Sequence, residues 1–458
     1  MARAWALVAL CLSCSAAAAS AQVAEHDAAA KRPLLTHAFD VRYNCEIVAT
    51  LRARCRGCSW GIEGHETAAL IISVDGGYSQ HLLLARGEEL SDYRVSLGSF
   101  AAGRHALQVG LDPSLSAAHI GTVSVSLADI RETFEKRPLE QMTSSPRQVE
   151  TRNFIALSRA PILHARANSV GRFTDLPVIM WYEVVPTAGG RQFRYSVIFT
   201  NEDGGTPTDR LVATWGRTTD IEFVYGVELD DNNAVISEEY QARGHEVPKF
   251  TGRHEGRHPL LWVATDNNMV SEEGTTRVRY RLVPEFFELR YKSREVVMDA
   301  HPWTYTVAAA ELAREGKIAD DATPGSGRIP DPRHFVFVEA CSELTDAALA
   351  FSIRAKDASG AESWYDADRG IVEFRIVRAG CFRAGVPLPP HAGPPDAIRF
   401  HAMRRQSQSG DGVPAPVAVT RINKVFTLGG DYTPGPPLFA WIGWIELPAT
   451  GEWRELAF

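Results

Sequence analysis

The chain has 458 residues, 45% hydrophobic and 23% charged, a composition that fits globular domains and excludes a disordered or collagen-like protein. Its formal net charge of −8 comes with no dense basic block, which argues against nucleic acid and anionic membrane surfaces as partners, since both reward clustered Lys and Arg. A chain of this length is expected to hold about three domains.

Residues 1–21 read as a secretory signal peptide. Arg3 gives the positive start, Ala4 to Leu12 the apolar run, and Ala19-Ser20-Ala21 the small-residue cleavage site. The run is too short for a bilayer, which takes roughly 20 residues. No later segment is long and apolar enough to form a transmembrane segment. A lipid anchor on Cys14 fits less well, because Cys11 stands three residues before it. The expected location is secreted or periplasmic, where disulfides persist.

Cys45, Cys55, Cys58, Cys341 and Cys381 follow the leader. Cys341 and Cys381 share one β-rich segment and are expected to pair. Among the other three, Cys45–Cys55 or Cys45–Cys58 would tie neighbouring strands. Cys55–Cys58 has a redox-type spacing without the flanking βαβ pattern. A zinc site there would need His65 as its fourth ligand.

After an Ala-rich leader over about 22–35, short alternating strands are predicted at Cys45 to Arg54, Ala68 to Val74, Gln80 to Ala85, Tyr93 to Leu97, His105 to Leu111 and Thr122 to Leu127. Asp75-Gly76-Gly77 and Ala101-Ala102-Gly103 mark turns between them. This spacing means an antiparallel β-sandwich over 36–128. The segment resembles the small β-sandwich modules appended to secreted carbohydrate-active proteins. The charged, Pro-containing stretch from 129 to 150 reads as a linker.

A central β domain is expected over 151–318. Val178 to Val185 and Phe193 to Phe199 flank the hairpin signal Ala188-Gly189-Gly190. Ile221 to Leu229, Pro259 to Ala264 and Thr276 to Val283 add strands. The single predicted helix runs from Thr306 to Lys317. A Gly/Pro/Asp linker (319–332) leads to a C-terminal β domain over 333–458. Its strands are His334 to Ala340, Ala348 to Ala355, Ile371 to Val377, Pro416 to Leu428 and Leu438 to Leu447, with a Pro-rich loop from Pro387 to Pro395. The predicted fold class is therefore mainly β, in tandem antiparallel β-sandwich-like domains with one short helix.

The polar residues that stand out lie in the central domain. Asp220 and Glu222 are two apart, so on a strand they point to the same face. Like charges so placed repel unless a cation, a base or water lies between them. A hard cation such as Ca²⁺ or Mg²⁺ suits oxygen ligands, and the Asp266-Asn267-Asn268 loop would add more. Asp220, Glu222 and Asp266 are the candidate metal ligands; the same residues also fit a solvated strand face followed by an Asx-type turn. His245, Trp181 and Glu183 are candidate ligand-binding residues, because aromatics beside carboxylates suit sugar rings, although strand Trp is commonly core. Glu202-Asp203 offers further carboxylates inside what reads as a turn. His301 at the helix entrance is a candidate base or a structural group. Trp441 and Trp444 are three apart and are expected to face opposite ways, one into the core. No Gly-x-Ser-x-Gly, His-Glu-x-x-His or phosphate-cradling loop is present.

Gly216-x-x-x-Asp220-x-Glu222 resembles three positions of the Gly-His-Arg-His-Asp-Trp-Glu heptad of the secreted necrosis-inducing toxins. The following His245 and His258-Pro-Leu-Leu-Trp-Val263 extend the resemblance over about 60 residues. The heptad's histidines are absent here, and Ile221 holds its Trp position. The resemblance implies a β-sandwich that holds a divalent cation and binds membrane glycolipids. The expected function is binding of an extracellular glycan or glycoconjugate. The alternatives are a polysaccharide hydrolase, using Asp220/Glu222 or Glu183 as acid and base, and an adhesive surface protein without a pocket.

Overall fold

The computed structural model describes residues 33–135, 147–405 and 416–458. The signal-peptide reading over 1–21, the leader up to residue 32, and the linker residues Pro138 and Ser144-Ser145-Pro146 lie outside the described residues. Within them the chain is mainly β, in antiparallel sheets with two short parallel pairings. No helix among the described residues is long and apolar enough to cross a membrane.

The first sandwich faces a four-stranded sheet against a three-stranded one. The former runs in the spatial order Leu35–Val41, Gly103–Asp112, Ala69–Val74, Gly77–Leu83; the latter runs Ser91–Phe100, Cys45–Cys55, Val123–Thr133. Ile47, Ala49, Leu51 and Ala53 alternate inward along one strand and meet Leu70, Ile72, Leu107 and Val109 of the facing sheet. Burying each of the larger side chains contributes on the order of 2 kcal/mol. At the Asp75-Gly76 turn both residues have positive φ (50° and 79°), which matches the twist of a tight hairpin.

The disulfides are Cys341–Cys381, as expected, and Cys55–Cys58; Cys45 is free and buried. A Cys45–Cys55 bridge is ruled out by geometry. The two are the ends of one strand, Cys45–Cys55, and ten residues of strand span about 33 Å. Burial pushes the Cys45 thiol up to about 12, so it stays an unreactive thiol.

The central sheet runs Val235–Tyr240, Asp220–Leu229, Gly190–Phe199, Pro177–Thr187 and the short Glu285–Phe286. Phe193, Tyr195, Val197 and Phe199 face a small sheet that contains Ile162–His164 and His258–Val263. On the opposite side Trp181, Ile198 and Ile221 pack with Phe335, Phe337 and Phe426 of the C-terminal domain.

That domain is a second sandwich. One sheet runs Gly380–Pro387, Phe335–Leu344, Val417–Thr427, Phe439–Leu447, and the other Glu362–Asp366, Ala348–Lys356, Ala397–Met403, Arg454–Ala457. The strand Phe335–Leu344 is therefore covered on both faces. Val336, Val338 and Ala340 enter the sandwich core, while Phe335 and Phe337 meet the central domain. Trp441 packs on the sandwich core and Trp444 is exposed, so the two do face opposite ways.

The predicted helix exists but starts three residues earlier, at Trp303–Arg314, directly after Pro302. Among the described residues three more helices were not predicted: Arg147–Ser158, which begins at the end of the expected linker and runs into the central domain, Thr208–Trp215 and Val296–Ala300. Thr208–Trp215 follows Pro207 and ends at Gly216 in the left-handed region (φ 59°). A Cβ at Gly216 would lie 2.5 Å from Arg383 Cγ, so this helix end meets the C-terminal domain where only glycine fits. Of the expected strand Thr276 to Val283 only Arg279–Tyr280 is a strand, with Leu282 making a single bridge to Val95, and Ile371 to Val377 is instead a short 3-10 turn, Val372–Phe374, that buries Phe374.

Candidate functional site

A cavity of about 400 Å³ opens where the central sheet, the segment before helix Val296–Ala300 and the C-terminal domain meet. Asp220 and Glu222 enter it from the start of strand Asp220–Leu229, and His245 from a 3-10 turn in which it takes a positive φ of 62°. Asn267 reaches it from the loop after the small sheet, and Glu202 from the loop after strand Gly190–Phe199. Arg294 and Glu295 line it ahead of the short helix, and Arg378 and Cys381 belong to the C-terminal domain.

Each carboxylate has a defined setting. Asp220 is almost fully buried; Oδ1 accepts from the Ile221 amide at 2.8 Å and Oδ2 from Asn268 Nδ2 at 3.0 Å. Burial raises its pKa, and Arg217, 3.6 Å away, pulls it down. Glu222 accepts from Gln241 Nε2, which also sits 3.3 Å from His245 Nδ1. Burial and then the Asp220 charge hold Glu222 well above the usual carboxylate range. Glu202 accepts from the Thr206 amide at 2.7 Å, and burial, with Asp220 beside it, pushes it up to about 7. Glu295 is taken by Arg217 Nε at 3.2 Å.

Two loops that form the cavity wall are tied together from behind. Arg166 bonds Asp203 at 2.7 Å and also holds Asp175 and Asp266. Asp203 and Asp266 flank Glu202 and Asn267, so one buried guanidinium fixes both. The contact is close: a Cβ on Gly205 would lie 2.6 Å from Glu202 Oε1 and 2.9 Å from Asn267 Cβ.

The structure thus brings together Asp220, Glu222 and His245, three of the six candidates. Asp266 is corrected: its carboxylate turns to Arg166 behind the wall. The expected Ca²⁺ or Mg²⁺ site is accordingly not assembled from Asp220, Glu222 and Asp266. Among the described residues no three His, Cys, Asp or Glu side chains are grouped to hold a metal ion. The asparagines of that loop arrive instead, Asn267 at the cavity and Asn268 on Asp220.

Trp181 is also corrected. It is 0% exposed, in the layer between the central sheet and the C-terminal domain. Glu183 shares that strand, opposite Arg194 in register, and does not line the cavity. His258 is a buried structural group, its Nδ1 2.9 Å from the Ala160 carbonyl. His301 Nε2 lies 2.9 Å from Glu285 beside a smaller cavity against the first sandwich. Arg217, Gln241, Arg294 and Arg378 were not anticipated; only the polar density around Gly216 pointed near them. No family model matches this chain, and no curated protein matches it.

Proposed function

We propose that this chain binds an extracellular glycan or glycoconjugate in the cavity between its central and C-terminal domains. The observation that supports the reading best is the lining itself. A cavity of about 400 Å³ is lined by Glu202, Asp220 and Glu222 together with Gln241, Asn267 and three arginines. A volume of that order fits small ligands, which fill pockets of roughly 300–1,000 Å³. Sugar hydroxyls both donate and accept, and pair well with carboxylate and carboxamide oxygens held at fixed positions. Trp215 gives the lining an aromatic surface for a sugar's apolar face. The leader-like start and the two disulfides support an extracytoplasmic setting.

The test is calorimetric titration of an oligosaccharide panel into the full chain and its Asp220→Asn, Glu222→Gln double variant. Both replacements keep shape and put an amide donor where a carboxyl oxygen stood, and thermal unfolding confirms that the variant folds. Wild type is expected to bind, and the double variant to bind at least ~10-fold more weakly. A panel without a binder, or an unchanged affinity, overturns the reading. Because Asp220 and Glu222 are engaged by Asn268 and Gln241, binding is expected to survive dialysis against EDTA unchanged.

A second reading, hydrolysis of a bound polysaccharide, is favoured by Glu202. A carboxyl pushed up to about 7 beside a second carboxylate is suited to general acid work near neutral pH. Release of reducing ends that Glu202→Gln abolishes while affinity persists would establish it. No release by the wild type leaves binding alone.

A further inference from the structure

We infer that the glycan this cavity takes is acidic, with a sugar carboxylate seated between Arg294 and Arg378 and the flanking residues of the chain passing over Tyr291, Arg290 and Arg421. The inference rests on the glycan reading above and names the class of sugar.

Its ground is two guanidinium groups, of Arg294 and Arg378, with no carboxylate within ion-pairing distance among the described residues. Arg217, Arg294 and Arg378 all line the cavity. Arg217 is matched, with Glu295 at 3.2 Å and Asp220 at 3.6 Å. Arg378 is not: it donates to the Thr214 carbonyl and lies 5.0 Å over the Trp215 ring, with no carboxylate in ion-pairing range among the described residues. Arg294 is exposed at the mouth, and its guanidinium has neither a hydrogen bond nor an ion pair among the described residues.

The neighbouring acids act only from beyond ion-pairing distance, Glu295 on Arg378 and Glu183 and Glu222 on Arg294. Glu295 is committed to Arg217, and burial favours the neutral forms of Glu202 and Glu222. Burial pushes Arg378 down to about 10; Glu295 pulls the other way, and Arg217 and Arg294 add smaller repulsions. With Arg217 paired, Arg294 and Arg378 remain as like charges on one cavity, and a bound anion relieves their repulsion. A carboxylate matches a planar guanidinium with two parallel hydrogen bonds, which a neutral hydroxyl pair cannot do as strongly.

The same charge continues outside. Tyr291 is exposed, three residues before Arg294. Its carbonyl accepts from Asn423 Nδ2 at 2.8 Å and lies 3.7 Å from the sulfur of Cys341, whose disulfide partner Cys381 lines the cavity. The guanidinium groups of Arg290 and Arg421 stand 5.1 and 5.0 Å from the Tyr291 ring centre, again with no carboxylate partner among the described residues. An aromatic ring bracketed by two such arginines, next to a cavity with two more, forms a track that suits several consecutive acidic sugars.

The experiment compares oligogalacturonates, sulfated oligosaccharides and neutral gluco-oligosaccharides of equal length on wild type, Arg294→Gln and Arg421→Gln. Both arginines lie away from the core, so the variants should fold, and thermal unfolding verifies it. Oligogalacturonate is expected to bind at least tenfold more tightly than the neutral series, with affinity falling as salt rises. Arg294→Gln should lose about tenfold for every length, whereas Arg421→Gln should lose affinity only for the longer oligomers. Equal binding of neutral and acidic series, or unchanged affinity in Arg294→Gln, overturns anion recognition and leaves the glycan reading standing. Tenfold preference for the sulfated series overturns the carboxylate. If no oligosaccharide of any series binds, the glycan reading itself fails and this inference falls with it.

Discussion

Glu202 shows how one residue links site chemistry to stability. Its neutral form is favoured in the folded state, chiefly by burial and next by Asp220. Between the ordinary carboxylate range and about 7, the folded chain therefore binds more proton at this position than the unfolded chain. Stability from this residue is fully present at low pH and is lost as pH rises through about 7. His164 works the other way: burial lowers it to about 4, so its contribution grows as pH rises through the ordinary histidine range. The two are separated by a difference measurement. Tm of wild type and Glu202→Gln is followed from pH 5 to pH 8, where the variant should gain on the wild type by a few degrees. Parallel curves would show that Glu202 is not held neutral. The same physics separates candidates the sequence leaves level. Asp220 and Glu222 were legible because two carboxylates two apart on a strand need a reason. Trp181 was misleading because an indole beside a carboxylate in sequence carries no sign of which sheet face it takes.

At the scale of elements, the cavity wall depends on two loops pinned by Arg166. Arg166→Gln leaves Asp175 buried without its guanidinium, which costs about 3–5 kcal/mol when a buried pair is broken. It should loosen Glu202 and Asn267 together. Asp266→Ala is the control: its side chain is 63% exposed, so stability should change by about 1 kcal/mol or less. Ligand affinity should fall less than in Arg166→Gln, since Asp266 does not itself line the cavity and its carbonyl still accepts from the Gly204 amide. A collapse of affinity in Asp266→Ala with unchanged Tm would return this residue to the site. Strands were legible where alternation was clean, as along Cys45–Cys55, and where glycines closed turns, as at Asp75-Gly76. Strand Phe335–Leu344 was found but its second buried face was not, because a run buried on both sides has lost the period that marks a face. Helix Thr208–Trp215 escaped notice because eight residues give few turns of apolar period, and its end signal, Gly216, was taken for part of a motif. Arg294 and Arg378 were illegible for a different reason. An arginine is unremarkable on a surface, and only the tertiary fold, which brings together residues 84 positions apart, shows that their partners are missing.

At the scale of the molecule, the cavity is a product of domain docking. Arg378 and Cys381 come from the C-terminal domain and the remaining lining from the central one and its connecting segment. The two are clamped by a buried charge network. Arg383, 0% exposed, bonds Asp299 and Glu339 at 2.6 Å each, and Lys424 reaches Asp299 at 2.6 Å. The first sandwich is fixed separately, by Trp60 Nε1 donating to Glu311 at 2.8 Å and Arg279 donating to the Ser79 carbonyl at 2.7 Å. The clamp and the site should therefore fail together. Arg383→Ala strips Glu339 of its buried cation and should cost about 3–5 kcal/mol, concentrated in the central and C-terminal halves. Arg383→Ala paired with Glu339→Gln removes the stranded charge and should recover part of that loss. If docking builds the cavity, ligand binding follows the same order: weakest in the single variant, partly regained in the double one, and unaffected by Trp60→Phe, which loosens only the far interface. Calorimetric unfolding and titration on these three proteins decide it. A single variant that unfolds early yet binds at full strength would mean that the central domain holds its ligand without its neighbour.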